Sequence, residues 1–368
     1  MKSFKRELLS TINKNVSNNY GIENFDEHRF GTYHAEHVTP WSQFIKKVKI
    51  SSKKSIGYSH LFISTSLLKK YTGGLKFLWK SLDENGKTLL IKLIAFRILG
   101  QKKIKLPTNT SFYWERLDAL NKLKDPNDTY NPKFLHYTLN KMNLKQIGYD
   151  IEFYYTPKGV LTDFVLEQYA YKSSGEKIVY AEKGDTVLDC GGCWGDTALY
   201  FAHNVGKQGK VYTFEFIPNN IEILQTNIDL NNHLKDRIEL IPNPVSNKSD
   251  IEIYFTDNGP SSSINFEPYE EQTGQTKTIS IDDFVSQHDI KEVNYIKMDI
   301  EGAEPLALQG AEKTIRKFRP KLAIAIYHSM DDFVNIPKWI LDLNLDYEIY
   351  LGHYTIHLEE TVIFAKPK

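Results

Sequence analysis

The chain has 368 residues, 46 Lys+Arg against 46 Asp+Glu, an apolar fraction of 41% and two cysteines. Such a length suits two domains, and no apolar run is long enough to span a bilayer. Two cysteines exclude a disulfide scaffold and fit a reducing compartment. The balanced charge hides an asymmetry. Residues 1–150 carry 26 Lys+Arg against 12 Asp+Glu, and residues 151–368 carry 20 against 34. A basic front half is therefore joined to an acidic rear half.

The N-terminal MKSFKRELLSTINKNV is basic but lacks the apolar core and small-residue cleavage site of a secretory signal. The expected location is the cytoplasm, with peripheral contact at the inner face of the membrane as an option. Basic residues are densest from Lys46 to Lys105, interleaved with apolar and aromatic ones as in FIKKVKI and LLKKYTGGLKFLWK. Thr88 to Leu99 carries only Lys92 and Arg97 among apolar residues, and reads as a buried or interfacial helix. The basic half can dock on an anionic membrane surface, hold an anionic acceptor such as a phosphorylated or lipid-linked sugar, or contact nucleic acid, for which no fold signature is present. It can equally be a solvated face that packs on the acidic half of a second copy in a homo-oligomer.

Turn signals at Asp-Pro-Asn-Asp and Asn-Pro-Lys put a boundary between Asp125 and Lys158, with a short helix over Phe134 to Met142. This divides the chain into a mainly helical region, 1–150, and a second domain, 151–368. The latter opens with a strand at Ile151 to Tyr155 and a helix at Thr162 to Tyr171.

Gly184 to Asp196, GDTVLDCGGCWGD, is the most informative stretch. A buried strand, Thr186 to Cys190, runs behind Asp189 into a turn containing Gly191, Gly192 and Gly195, and a helix follows over Thr197 to His203. The helix N-terminus and the glycines suit the close approach of a nucleoside-bearing cofactor. The spacing is not the Gly-x-Gly-x-x-Gly of dinucleotide binders, and acids in the turn, Asp189 and Asp196, repel a pyrophosphate. A cationic, phosphate-free nucleoside fits better, and S-adenosylmethionine (SAM) has that chemistry. Glu215, at the end of a second strand from Lys210 to Phe216, suits the ribose hydroxyls. A third strand, Ile238 to Pro242, leads to Asn243 near the adenine. Cys190 and Cys193 form a C-x-x-C inside the turn, but no further soft ligands accompany it, so packing is the simpler reading than zinc or redox chemistry.

A hairpin, Ile251 to Phe255 and Ser263 to Phe266, precedes Ile279-Ser-Ile-Asp-Asp-Phe284 and Val293-Asn-Tyr-Ile-Lys-Met-Asp-Ile-Glu-Gly-Ala-Glu304. LDCGGCWGD, EFIPNN, TISIDDF and YIKMDIEGAE, in this order, resemble the FkbM family of SAM-dependent methyltransferases over roughly the last 200 residues. The resemblance implies an α/β fold, a Rossmann-like class I methyltransferase sheet, with SAM as cofactor. It also implies O-methylation of a hydroxyl on a sugar or natural product, here a sugar in a surface glycan or its precursor. Readings from other classes are a SAM-fold scaffold without turnover that binds a membrane or glycan-assembly partner, and a methyltransferase acting on a non-sugar, nitrogen or protein acceptor.

If Tyr295 to Asp299 is a strand, Lys297, Asp299 and Glu301 gather where the chain leaves the sheet beside the cofactor turn. Asp299 is the candidate to orient or deprotonate an acceptor hydroxyl, and Lys297 to hold its oxygen. Glu304 reads as an acid stabilising the start of a helix over Ala303 to Phe318. The next strand, Lys321 to Tyr327, ends at His328, placed to titrate near neutral pH and to take a proton. Two carboxylates and an imidazole would also serve a divalent metal. A helix over Phe333 to Leu343 and strands at Tyr347 to Leu351 and Thr361 to Ala365 complete the chain, with His353 and Tyr354 as minor candidates for the acceptor site.

Overall fold

A computed structural model describes residues 3–26, 69–132, 138–259 and 262–368. Two compact units are present, Met1–Thr110 with Thr355–Glu359, and Ser111–Tyr354 with Glu360–Lys368. The division thus falls at Thr110, upstream of the turn-rich stretch that the sequence marks.

The described part of the first unit is helical. Ser3 caps the helix Phe4–Asn15 by accepting from the Arg6 N–H, and Asp83 caps Glu84–Leu99 by accepting from the Gly86 N–H. Glu84–Leu99 buries Leu90, Ile91, Leu93, Ile94, Ala95 and Phe96, which lie around most of its circumference, so of the two readings of Thr88 to Leu99, buried or interfacial, the structure has the buried helix, begun four residues earlier. The face of Phe4–Asn15 made by Phe4, Leu8 and Ile12 packs against it. Much of the basic stretch, including FIKKVKI, lies outside the described residues. Among the described residues no helix is long and apolar enough to cross a membrane.

In the second unit, the strands in chain order are β1 (Lys124–Tyr130), β2 (Leu139–Asn143), β3 (Glu152–Tyr155), β4 (Tyr171–Ser173), β5 (Glu176–Val179), β6 (Thr186–Cys190), β7 (Lys210–Phe214), β8 (Ile238–Ile241), β9 (Glu252–Thr256), β10 (Ser263–Asn265), β11 (Gly274–Lys277), β12 (Tyr295–Met298), β13 (Lys321–Ala325), β14 (Tyr347–His353) and β15 (Thr361–Pro367). The stretch read as a boundary is an antiparallel sheet, β1–β2–β3. Tertiary contacts override its turn signals: Leu139, Met142 and Phe153 are buried, and Asp128 accepts from the Tyr154 phenol while pairing with Lys141. Pro126 lies in β1, an edge strand, where a missing N–H is tolerated. Of the helix expected over Phe134 to Met142, residues 134–137 lie outside the described residues and 139–142 are strand.

The expected helix Thr162 to Tyr171 is replaced by a short turn, Pro157–Val160, capped by Thr156, which continues as a π-helical turn, Leu161–Val165. The single helix expected over Ala303 to Phe318 is two, Glu304–Gln309 and Glu312–Phe318. The break falls at Gly310, where a Cβ would lie 2.1 Å from the Ser246 carbonyl oxygen. Asp282 caps the second helix by accepting from the Lys313 and Thr314 N–H groups.

The main sheet has the order β8–β7–β6–β12–β13–β15–β14. β15 runs antiparallel to both of its neighbours, while the pairs from β8 to β13 are parallel. The chain moves outward from β6 through β7 to β8, then returns to place β12 on the other side of β6. Strand order therefore reverses between β6 and β12, the position in an open α/β sheet where ligands bind beyond the carboxyl ends. The core lies on both faces, with Leu188, Phe201, Ile296, Ile324 and Phe333 almost wholly buried.

Gly310→Ala is expected to lower stability by about 1–3 kcal/mol, the cost of forcing a methyl group into a packed contact. Urea unfolding measures it, and a variant within about 0.5 kcal/mol of the parent, the scatter of a neutral surface change, would contradict the steric account.

Candidate active site

The glycine turn at the end of β6 is shaped by its neighbours. Gly191, at φ 90°, packs so close to the 299–300 segment that a Cβ would lie 1.9 Å from the Asp299 carbonyl oxygen. At Gly192 a Cβ would lie 2.1 Å from Thr213 Oγ1. The Gly191 and Gly192 N–H groups both donate to the Phe214 carbonyl, which ties the turn to β7. Gly195 precedes the helix Asp196–Val205, so that helix begins one residue earlier than its sequence pattern suggests.

Asp189 is fully buried. It accepts from the hydroxyls of Thr197 and Thr213 and forms an ion pair with Lys297, at 3.2 Å across the β6–β12 boundary. Lys297, only 2% exposed, also donates to the Cys190 and Gly191 carbonyls. Burial alone would lower its pKa, but Asp189, Asp299 and Asp196 together raise it, so the ammonium stays charged. Lys297 and Asp189 thus hold the floor of the site. The Cys190 and Cys193 thiols are free, and burial pushes both pKa values up, which leaves them poor nucleophiles.

Beside this floor lies a second buried acid grouping. Asp196 Oδ1 has no hydrogen-bond partner, and burial pushes its carboxyl up to about 6. Asp163, from the π-helical turn, accepts from the Tyr155 phenol at 2.7 Å. Burial and the nearby Asp196 charge raise its pKa well above its ordinary value. Asp163 and Tyr155 were not legible as site residues, although a π-turn in a segment that covers the sheet end is a recurrent mark of one. Two buried acids and an orphaned oxygen at the glycine turn suit the positive groups of SAM. Glu215 lies at the end of β7, where its Oε1 accepts from the Phe216 and Ile217 N–H groups and its Oε2 from the Asn220 amide. Burial raises its pKa to about 7 against those donors. Asn243, after β8, is partly exposed and donates to the Lys277 carbonyl.

On the other side of Lys297, Asp299 follows β12. Its Oδ2 accepts from the Tyr169 phenol at 2.9 Å, and both oxygens accept from the Tyr327 phenol, at 3.0 and 3.2 Å. Burial and the Asp299 charge raise both phenol pKa values well above the usual, so each remains a donor. Neither tyrosine was singled out from sequence, although Tyr327 closes an apolar strand next to His328.

His328, with an 11% exposed side chain, sits among three acids. Its Nε2 lies 3.5 Å from Asp299 and 3.7 Å from Glu301, and its Nδ1 lies 3.4 Å from Glu304. Burial would lower its pKa, but Glu304, Asp299 and Glu301 raise it to about 9. As described, His328 is a proton donor near neutral pH, whereas the sequence suggests a group that titrates there. Glu301 is more than half exposed. Glu304 is fully buried; it accepts from the Ile300 N–H at the helix start, as expected, but it also faces His328. His353 is buried, with its Nδ1 at 2.9 Å from the Thr361 hydroxyl.

Residues 179–349 match the family described as methyltransferase FkbM domain. The crystal structure of methyltransferase FkbM from Methylobacillus flagellatus KT is similar to this chain with a TM-score of 0.52 and 18% identity, over 82% of this chain and 60% of that one. This chain thus spans about three fifths of that protein's length, and at this identity the likeness is one of fold. Aeropyrum pernix fibrillarin with natively bound SAM is similar at a TM-score of 0.35 and 14% identity, over 62% of this chain and 89% of that one. A putative caffeoyl-CoA O-methyltransferase from Staphylococcus aureus is similar at 0.32 and 12%, over 50% and 76%. No curated protein matches the chain.

Lys297→Met is expected to lower stability by about 3–5 kcal/mol, because it leaves the Asp189 carboxylate buried without its cation. A loss below about 1 kcal/mol in urea unfolding, the range of a surface pair, would mean that the pair is not the brace its burial implies.

Proposed function

Because the chain carries an FkbM methyltransferase domain over residues 179–349, we propose that it is a SAM-dependent O-methyltransferase acting on a sugar hydroxyl, in a surface glycan or its precursor. The observation that carries the reading is Asp299, whose carboxylate is held by two phenols at a strand end while its backbone packs against the cofactor turn. Asp189 and Lys297 brace the turn, Asp163 and Asp196 receive the positive groups of the cofactor, and Glu215 keeps acceptor capacity for the ribose. When bound, SAM supplies a methyl group on a sulfonium, an electrophile that needs an oxygen nucleophile in line.

Asp299 serves the acceptor. Its carboxylate accepts a hydrogen bond from the incoming hydroxyl, orients the oxygen and takes the proton as the oxygen–carbon bond forms and the carbon–sulfur bond breaks. The Tyr169 and Tyr327 hydroxyls fix the rotamer of that carboxylate, which makes them positioning residues. The sugar as acceptor rests on the family resemblance together with a site whose polar groups at the strand ends are carboxylates and an imidazole, suited to hydrogen-bonding hydroxyls.

Calorimetry should show SAM binding that strengthens as pH rises through about 6. In the free protein Asp196 holds a proton below that pH, with the buried Asp163, whose pKa is also raised, beside it and Asp189, Lys297, Tyr155 and Cys193 as the other ionisable neighbours. A bound cation favours the ionised acid, so a proton leaves on binding at pH 5 and none leaves at pH 7.5. Affinity is expected to be about tenfold weaker at pH 5, the factor set by a single group one unit below its pKa. A flat profile, or the same profile in Asp196→Asn, would remove Asp196 from the cofactor site.

Mass spectrometry of sugar acceptors should show one added methyl group. Asp299→Asn is expected to lower kcat about a hundredfold or more while SAM affinity stays within about twofold, since a general base contributes at this scale to the chemical step. Full turnover by the Asn variant would exclude Asp299 as the base, and no SAM binding by folded protein would overturn the enzyme reading.

A further inference from the structure

We propose that Asp299, Glu304 and His328 form a binding site for one divalent cation at the carboxyl ends of β12 and β13. One ligand atom from each residue lies within 4.8 Å of the other two. Ligands around one six-coordinate ion at about 2.1 Å lie about 3 Å apart when adjacent and about 4.2 Å apart when opposite, so a small inward movement closes this set. A second observation points to a ligand. Glu304 is fully buried and its Oε2 has no hydrogen-bond partner, and neither does Nδ1 or Nε2 of His328. Buried polar atoms rarely go unsatisfied, and here they belong to two side chains that already lie against each other, with His328 Nδ1 at 3.4 Å from Glu304.

The surroundings are those of a ligand set. The Tyr169 and Tyr327 phenols orient the Asp299 carboxylate, and the Ile300 N–H fixes Glu304 Oε1, leaving Oε2 for an ion. Two carboxylates and one neutral imidazole balance a divalent charge, whereas a proton on the imidazole leaves the trio with a net negative charge. Cation binding displaces that proton, as it does from any ligating histidine. Oxygen donors with a single imidazole suit Mn2+ or Mg2+, and no thiol faces the set to favour a softer ion. Glu301, at 3.7 Å from the imidazole and more than half exposed, stands at the open side. On the proposed reaction, the ion's role is to bind the acceptor oxygen beside Asp299 and to ease loss of its proton. The binding site itself does not depend on that reading.

The test is a titration of chelator-treated full-length protein with Mn2+, followed by the loss of free-ion electron paramagnetic resonance signal, without SAM or acceptor. The expected result is one Mn2+ per chain, with binding lost in His328→Gln and weakened at least tenfold in Glu304→Gln, which keeps the Ile300 hydrogen bond. Tyr327→Phe, which leaves all three ligands in place, is expected to weaken binding about tenfold through the freed carboxylate. Circular dichroism of each variant confirms the fold. No retained Mn2+ on folded parent protein, or equal binding by His328→Gln, would overturn the proposal and leave an imidazolium clamped between carboxylates. Calorimetric binding of SAM to the same chelator-treated sample separates this failure from a failure of the methyltransferase reading.

Discussion

Everything at the mouth of the sheet is referred to one buried ion pair. Lys297 and Asp189 face each other across β6 and β12, the two strands between which the strand order reverses. Asp189 draws in a hydroxyl from the helix Asp196–Val205 and another from β7, and Lys297 draws in two carbonyls of the glycine turn. Four elements are thereby fixed by charges that have no access to water. Because a buried charge without its partner is so costly, alternative packings of this corner are excluded, and the pair specifies one arrangement more than it adds net stability.

That central cation also separates two acid groupings with different electrostatic problems. On the turn side, Asp163 and Asp196 are buried close together without a dedicated cation, and burial and their mutual repulsion raise the pKa of Asp163 while burial raises that of Asp196. On the strand-end side, Asp299 and Glu304 are served by His328, and the charge is shared with two phenols. The first arrangement suits the positive guest proposed for it, and the second gathers two carboxylates and an imidazole within 4.8 Å of one another. A donor and an acceptor of a cationic methyl group call for such an asymmetry.

The main sheet was legible because its strands are short apolar runs ending in glycine, polar or charged residues, and β6, β7, β8, β12 and β13 begin as the sequence pattern predicts. The residues at their carboxyl ends followed from the same pattern, since a period of two puts Lys297 and Asp299 on one side. What escaped depends on distant contacts. Asp-Pro-Asn-Asp has every mark of a turn, yet Tyr154 and Lys141 hold Asp128 within a sheet. The break at Gly310 is set by the Ser246 carbonyl, 64 positions earlier in the chain. Tyr169, Asp163 and Tyr155 reach the site from segments with no local motif, and no periodicity encodes where a covering segment lands. Nor does a pattern of residue types distinguish an acid that faces a ligand from one, such as Asp189, that is consumed by the framework.

The contact between Gly191 and the Asp299 carbonyl has a mechanical meaning. The turn proposed to cradle the cofactor and the residue proposed to address the acceptor touch through backbone, with no side chain between them, and the Asp299 N–H is bonded in turn to the Cys190 carbonyl. Neither can shift by an ångström without the other. On the proposed reaction, the spacing between the two partners is therefore built into the frame of adjacent strands, and adaptation to acceptors of different size falls to the outer walls, leaving the distance of attack unchanged.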